Sequence, residues 1–141
     1  MITGRCYCGA TTLTAGAPLT AAWWHCADCR RWTGAPAAAF AAFDSVTLTP
    51  DPGPRSAVEG VQRWNCPACG SPMAACFDYL PGQTYVPLGV LDQAGEVVPE
   101  VHAHAASRLT WLHIADDLPR SDATARAALA AASTPCSGGT P

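Results

Sequence analysis

Residues 64 to 73 read Trp64-Asn65-Cys66-Pro67-Ala68-Cys69-Gly70-Ser71-Pro72-Met73, a Cys-Pro-x-Cys-Gly turn between apolar flanks. Two intervening residues let both sulfurs face one point, Pro67 presets the turn and Gly70 tolerates positive φ, so the stretch reads as half of a tetrahedral zinc site. Cys6-Tyr7-Cys8-Gly9 supplies the other half. Its one-residue spacer needs a tight turn to aim both thiolates at one ion, and Gly9 eases that turn. Four thiolates at about 2.3 Å would close a structural site and staple the N-terminus to the middle of the chain. The apparent binding free energy of such a site, on the order of 10 to 16 kcal/mol, exceeds the net stability of many domains. Two separate thiol pairs, or a disulfide, are the alternatives for the same residues.

Working outward, the chain has 141 residues, 49% of them hydrophobic and 13% charged, which is one globular domain able to bury a core without disulfide staples. Eight Arg, eleven Asp plus Glu and no Lys give a net charge of -3, with no basic stripe to neutralise phosphates, so nucleic acid is not an expected partner. The first residues lack the charged start and apolar run of a signal peptide. The longest apolar run, Ala35 to Phe43, falls short of the roughly 20 residues of a membrane span. No membrane partner and a cytoplasmic, reducing location are therefore expected, where cysteines read as metal ligands or reactive thiols. Without lysine, no side-chain amine can form a Schiff base, so any aldehyde chemistry runs through thiols or metal.

Strand-like stretches run over Ala10 to Thr14, Ala37 to Phe43, Ser45 to Thr49, Val61 to Asn65 and Pro72 to Asp78. Thr84 to Asp92 reads as an edge or bulged strand because of Pro87 and Gly89, with Val97 to Ala103 as its pairing partner. Cys26 to Arg31 fits one helical turn stopped by Gly34. Ser121 could cap a short C-terminal helix, and the tail beyond Ser133 has linker composition.

Cys26 and Cys29 form a third pair, beside Arg30 and Arg31, whose charge favours thiolate and could meet a carboxylate. Trp23, Trp24, Trp32 and Trp64 cluster around the cysteine motifs and read as core before they read as a pocket wall. His102 and His104 would share one face of a strand. Cys76 reads as core, and Cys136 as incidental.

The ordered set GRCYCGA (4–10), WHCADCRRWTGAP (24–36), WNCPACGSPM (64–73), Val90-Leu91-Asp92, and His102 with eight residues between it and Trp111, followed by Leu118-Pro119-Arg120, resembles the glutathione-dependent formaldehyde-activating (GFA) family. The resemblance covers Gly4 to Pro119. It implies a mainly β, tent-like zinc-binding fold, here residues 1–119, with a short C-terminal helix and tail over 120–141. It also implies a structural zinc on Cys6, Cys8, Cys66 and Cys69, a catalytic zinc on a Cys-x-Cys-x-x-Cys stretch, and carbon-sulfur lyase chemistry joining formaldehyde to glutathione. In this chain the first of those three positions is Trp24, and indole cannot ligate zinc. Only Cys26 and Cys29 remain as catalytic thiols or as ligands of a second zinc, with His25 expected to point elsewhere.

The expected function is accordingly a GFA-like zinc protein acting on a glutathione-type thiol adduct of formaldehyde or a small aldehyde. The competing reading is a non-catalytic, zinc-stabilised module that binds a thiol compound or a protein segment. A homodimer is compatible with edge strands in a small β fold.

Overall fold

The computed structural model describes residues 1–123. They form a three-stranded and a seven-stranded sheet with a single α-helix. In chain order the strands are β1 (Ile2–Arg5), β2 (Thr12–Ala15), β3 (Thr20–Trp24), β4 (Ala38–Phe43), β5 (Val46–Thr49), β6 (Arg55–Val58), β7 (Val61–Asn65), β8 (Pro72–Phe77), β9 (Thr84–Pro87) and β10 (Val101–Ala103). Helix α1 spans Ala27–Thr33 between β3 and β4. The small sheet runs β1-β2-β5 and the large one β10-β3-β4-β9-β8-β7-β6. The mainly β architecture expected from the sequence is the one observed.

The centre of the large sheet is buried on both faces, and β4 shows why. Its residues Ala38, Phe40 and Ala42 pack into one core cluster with Trp24, Phe77 and Tyr85. Ala41 and Phe43, pointing the other way, join Leu13, Leu48, Trp64, Met73 and Val86 in the second cluster, which joins the two sheets. A two-faced strand needs apolar residues at every position, and AAFAAF supplies them. Phe40, Ala41, Ala42 and Phe43 are each at most 2% exposed.

Two hairpins decide where the cysteines go. The antiparallel pair β1 and β2 is joined by residues 6–11, and β7 and β8 by residues 66–71. Each connection begins with a cysteine and carries a glycine in the left-handed region, Gly9 at φ 83° and Gly70 at φ 78°. Gly4 permits the small sheet to close against the segment after β9: a Cβ there would stand 2.4 Å from the Val90 carbonyl oxygen.

Two expectations are corrected. Strand β9 lies inside the sheet, between β4 and β8, because the strand ends at Pro87 and the chain turns through a 3₁₀ turn at Leu88–Val90 before Gly89 could weaken a ladder. Val101–Ala103 pairs in parallel with β3 rather than with β9, since the turns over 92–100 carry the chain across to the far edge of the sheet. Strands β1, β3 and β6 were not legible as strands. The C-terminal helix after Ser121 and the tail lie outside the described residues, and no described helix is long and apolar enough to cross a membrane.

Candidate functional site

The hairpin tips at 6–11 and 66–71 bring Cys6, Cys8, Cys66 and Cys69 together, with all four sulfurs within 4.8 Å of one another. Four sulfurs at about 2.3 Å from one ion span tetrahedron edges of about 3.8 Å. Cys6 and Cys8 Sγ are 3.6 Å apart and Cys8 and Cys66 Sγ 3.9 Å apart, so the cluster has the size such an ion needs. The two tips are built alike. Gly9 N donates to the Cys6 carbonyl and Gly70 N to the Cys66 carbonyl, while Cys6 N and Cys66 N donate to Thr11 O and Ser71 O.

Groups around the cluster favour thiolate. Thr11 N donates to Cys6 Sγ at 3.3 Å, and the Ser71 hydroxyl lies 3.1 Å from Cys69 Sγ. The Ser71 hydroxyl and amide pull the Cys69 thiol down to about 5, and Thr11, followed by the Cys69 amide, lowers Cys66. Against the pull of the Ala10 amide, the neighbouring Cys6 sulfur and burial push Cys8 up to about 11. Four crowded thiols without a cation cannot all ionise, whereas a bound cation displaces the remaining protons. The described residues therefore present a cysteine cluster that could hold a metal ion, with a donor set that suits zinc.

Cys26 and Cys29 lie together at the start of α1. Cys26 is extended (φ -66°, ψ 148°), the Arg30 amide donates to its carbonyl, and Gly34 at φ 76° stops the helix. The two Sγ atoms are 2.8 Å apart, about an ångström shorter than a zinc-thiolate tetrahedron edge. Among the described residues no third His, Cys, Asp or Glu joins them in a ligand group. The pair is therefore two thiols in close contact, without a third ligand group beside them among the described residues. The contact with Cys29, helped by the Cys29 amide and opposed by burial, lowers Cys26 to about 7; the same contact and burial raise Cys29, which is wholly buried.

The position that could have held a third cysteine belongs to Trp24, which is 1% exposed. Its ring stacks on Phe77 at 5.6 Å and meets Phe40 and Tyr85 edge-on. Trp64 is likewise core, while Trp23 and Trp32 are half-buried, Trp32 donating to Asn65 Oδ1.

Of the charged groups, the helix arginines take unexpected places. Arg30 is tied to the carbonyls of His25 and Ser107, and Arg31 is exposed. Arg63, on β7, instead faces the pair: it bonds Asp28 at 2.5 Å, lies 4.3 Å over the Trp32 ring, and favours the Cys29 thiolate. The Tyr79 phenol is pushed up by burial and then by the Cys26 and Cys29 charges, so it stays protonated well beyond neutral pH. Neither Arg63 nor Tyr79 carries a local sequence signal, because the sheet and not the spacing brings them to α1.

His25 points away from Cys26, as adjacency suggests. Its Nε2 lies 2.8 Å from His102 Nδ1, and His102 Nε2 lies 2.9 Å from Asp116 Oδ2. Asp116 in turn binds Arg120. Burial, then His102, Arg108, Arg120 and Arg30, lower His25 below its ordinary value. His104 does not share the His102 face, because β10 ends at Ala103 and His104 turns left-handed (φ 54°) beneath Trp24. Cys76 is buried beside Thr84, as expected for core.

A family model described as "Glutathione-dependent formaldehyde-activating enzyme" matches residues 1–107. No curated protein matches the chain. Among solved structures, a crystal structure of a Rhodobacter sphaeroides protein matches with a TM-score of 0.51 and 19% identity, covering 84% of this chain and 99% of that one. At that identity the likeness speaks for the fold alone.

Proposed function

The chain belongs to the glutathione-dependent formaldehyde-activating family, and from that premise we propose that it makes and breaks the carbon-sulfur bond of glutathione-type thiol adducts of formaldehyde or a small aldehyde. In this reading residues 1–119 are the working domain, in a cytoplasmic setting, with Cys26 and Cys29 as free thiols. Cys6, Cys8, Cys66 and Cys69 hold a structural zinc, which supplies no chemistry beyond clamping the two hairpin tips. The observation that carries the proposal is the Cys26–Cys29 contact at 2.8 Å beside Arg63 and Tyr79.

A Cys26 thiol held near 7 by its contact with Cys29 can, as thiolate, take a proton from an incoming thiol and return it. The incoming S–H proton passes to the Cys26 thiolate, the new thiolate adds to the aldehyde carbon, and the carbonyl π pair becomes an alkoxide. The alkoxide then recovers that proton from the Cys26–Cys29 pair, with the Tyr79 phenol as hydrogen-bond donor to the developing oxyanion. Atoms balance as thiol plus aldehyde giving the hydroxyalkyl thioether, and cleavage is the reverse. No step passes through a second metal.

A second reading is favoured by Trp24. With its indole filling the third position, the surface around Cys26 would hold a thiol compound or a protein segment without turnover. Exchange spectroscopy between glutathione, formaldehyde and their adduct separates the two. The proposal expects exchange faster than the protein-free background, returning to background in Cys26→Ser. Calorimetric binding of glutathione without faster exchange supports the binding module instead.

A further inference from the structure

Beside His25 lies a cavity of about 260 Å³, walled by His25, His102, Arg108, Leu112, His113 and Arg120 together with apolar residues. Every ionisable group on that wall is a base, in a chain whose net charge is -3. Asp116 is not part of the wall: its Oδ2 is taken by His102 and its Oδ1 by Arg120. Arg120 is spent in the same way, its guanidinium donating to Asp116 and to the carbonyls of Ile114 and Leu118. Arg108 is different. It is exposed, and among the described residues its guanidinium has no hydrogen-bond or ion-pair partner.

The relay that closes the back of the cavity is anchored on a carboxylate. A carboxylate only accepts, so His102 Nε2 donates to Asp116 Oδ2, while His102 Nδ1 is bonded to His25 Nε2. Buried His25 and His102, 3% and 2% exposed, are thereby locked in place and hold the only carboxylate of the relay outside the wall. A concave, rigid wall with one uncommitted guanidinium concentrates positive potential where a small anion can enter. The volume is below the roughly 300 to 1,000 Å³ of drug-sized sites, so the occupant is small.

We infer that this cavity is a binding site for a small oxyanion-bearing organic molecule, a carboxylate or a phosphate ester, held by the Arg108 guanidinium against the His25–His102 wall. The guanidinium fork matches either oxyanion through charge-assisted hydrogen bonds. The site does not rest on the thiol chemistry, since neither Cys26 nor Cys29 lines it.

The test is titration of the zinc-replete full chain with malonate and, separately, inorganic phosphate, at ionic strength fixed with chloride, following the ring nitrogens of His25 and His102 by NMR. Saturable shifts with malonate assign a carboxylate occupant, with phosphate a phosphate ester, and with both the shared oxyanion chemistry. Arg108→Gln should weaken binding about tenfold, the loss of one charge-assisted hydrogen bond, and Arg108→Lys should weaken it less. Arg31→Gln, an exposed arginine outside the cavity, should leave it unchanged. A chloride-like response to both probes overturns the site, as does equal weakening by Arg31→Gln and Arg108→Gln. Because the readout is ligand binding by wild-type protein, its failure leaves the carbon-sulfur reading untouched.

Discussion

The sulfurs of Cys8 and Cys66 lie 3.9 Å apart although 58 residues separate them in the chain. This contact ties the β1–β2 tip, and with it the small sheet, to the β7–β8 tip of the large one. Removing the metal with a strong chelator, or replacing Cys66 with serine, is expected to release both tips. Structural zinc sites contribute on the order of 10 kcal/mol or more of apparent binding free energy, so cooperative thermal unfolding should be lost or its midpoint should fall steeply. Calorimetric scans of the two preparations against untreated protein check this.

Lowered chiefly by its contact with Cys29, Cys26 is expected to be the reactive thiol of the pair. Its alkylation by iodoacetamide should rise with pH through a midpoint near 7, because thiolate is the nucleophile and the folded protein holds Cys26 down to about that value. Cys29, wholly buried and pushed up, should stay unmodified over the same range. In Cys29→Ala the largest cause of the depression is gone, so the Cys26 midpoint should move up toward an ordinary thiol. Mass spectrometry of timed digests reads both.

Gly4 stands where a side chain has no room. A Cβ would lie 2.4 Å from the backbone oxygen of Val90, a rigid neighbour that can move only if β1 leaves the 88–91 segment. Gly4→Ala is expected to cost about 1 to 3 kcal/mol by overpacking, measured as a lower urea midpoint at unchanged slope.

Asp116 is held down to about 2, first by the hydrogen bond from His102 and then by Arg120. Its folded value is below its unfolded one, so its contribution to stability is present above ordinary carboxylate pH and is lost as pH falls toward 2. Carboxyl NMR titration should give a midpoint near 2 in the native chain and a higher one in His102→Ala. An unchanged midpoint in the variant would refute the relay.

The four-cysteine cluster was legible in the sequence because each half is a local motif at a hairpin tip, where Gly9 and Gly70 fix the turn. The strands that carry it were less so. In β3, Thr20–Trp24, alanines and tryptophans give no alternating pattern because both faces are buried. In β9, Pro87 pointed to an edge although it merely ends an interior strand. The surroundings of the thiol pair and of His102 were hidden for a different reason. Arg63 and Asp116 reach their partners Asp28 and His102 across 35 and 14 residues, and no spacing rule ties them together. The neighbouring Arg30, plausible by position, is instead consumed by backbone carbonyls.

The central claim is that one metal sits on Cys6, Cys8, Cys66 and Cys69 while Cys26 and Cys29 work as metal-free thiols. It is tested most directly by zinc per chain on protein purified without chelator or added metal, measured for the native chain and for the Cys26→Ser, Cys29→Ser double variant. The account predicts one zinc in both. Two zincs in the native chain falling to one in the variant, or none in either, would contradict it.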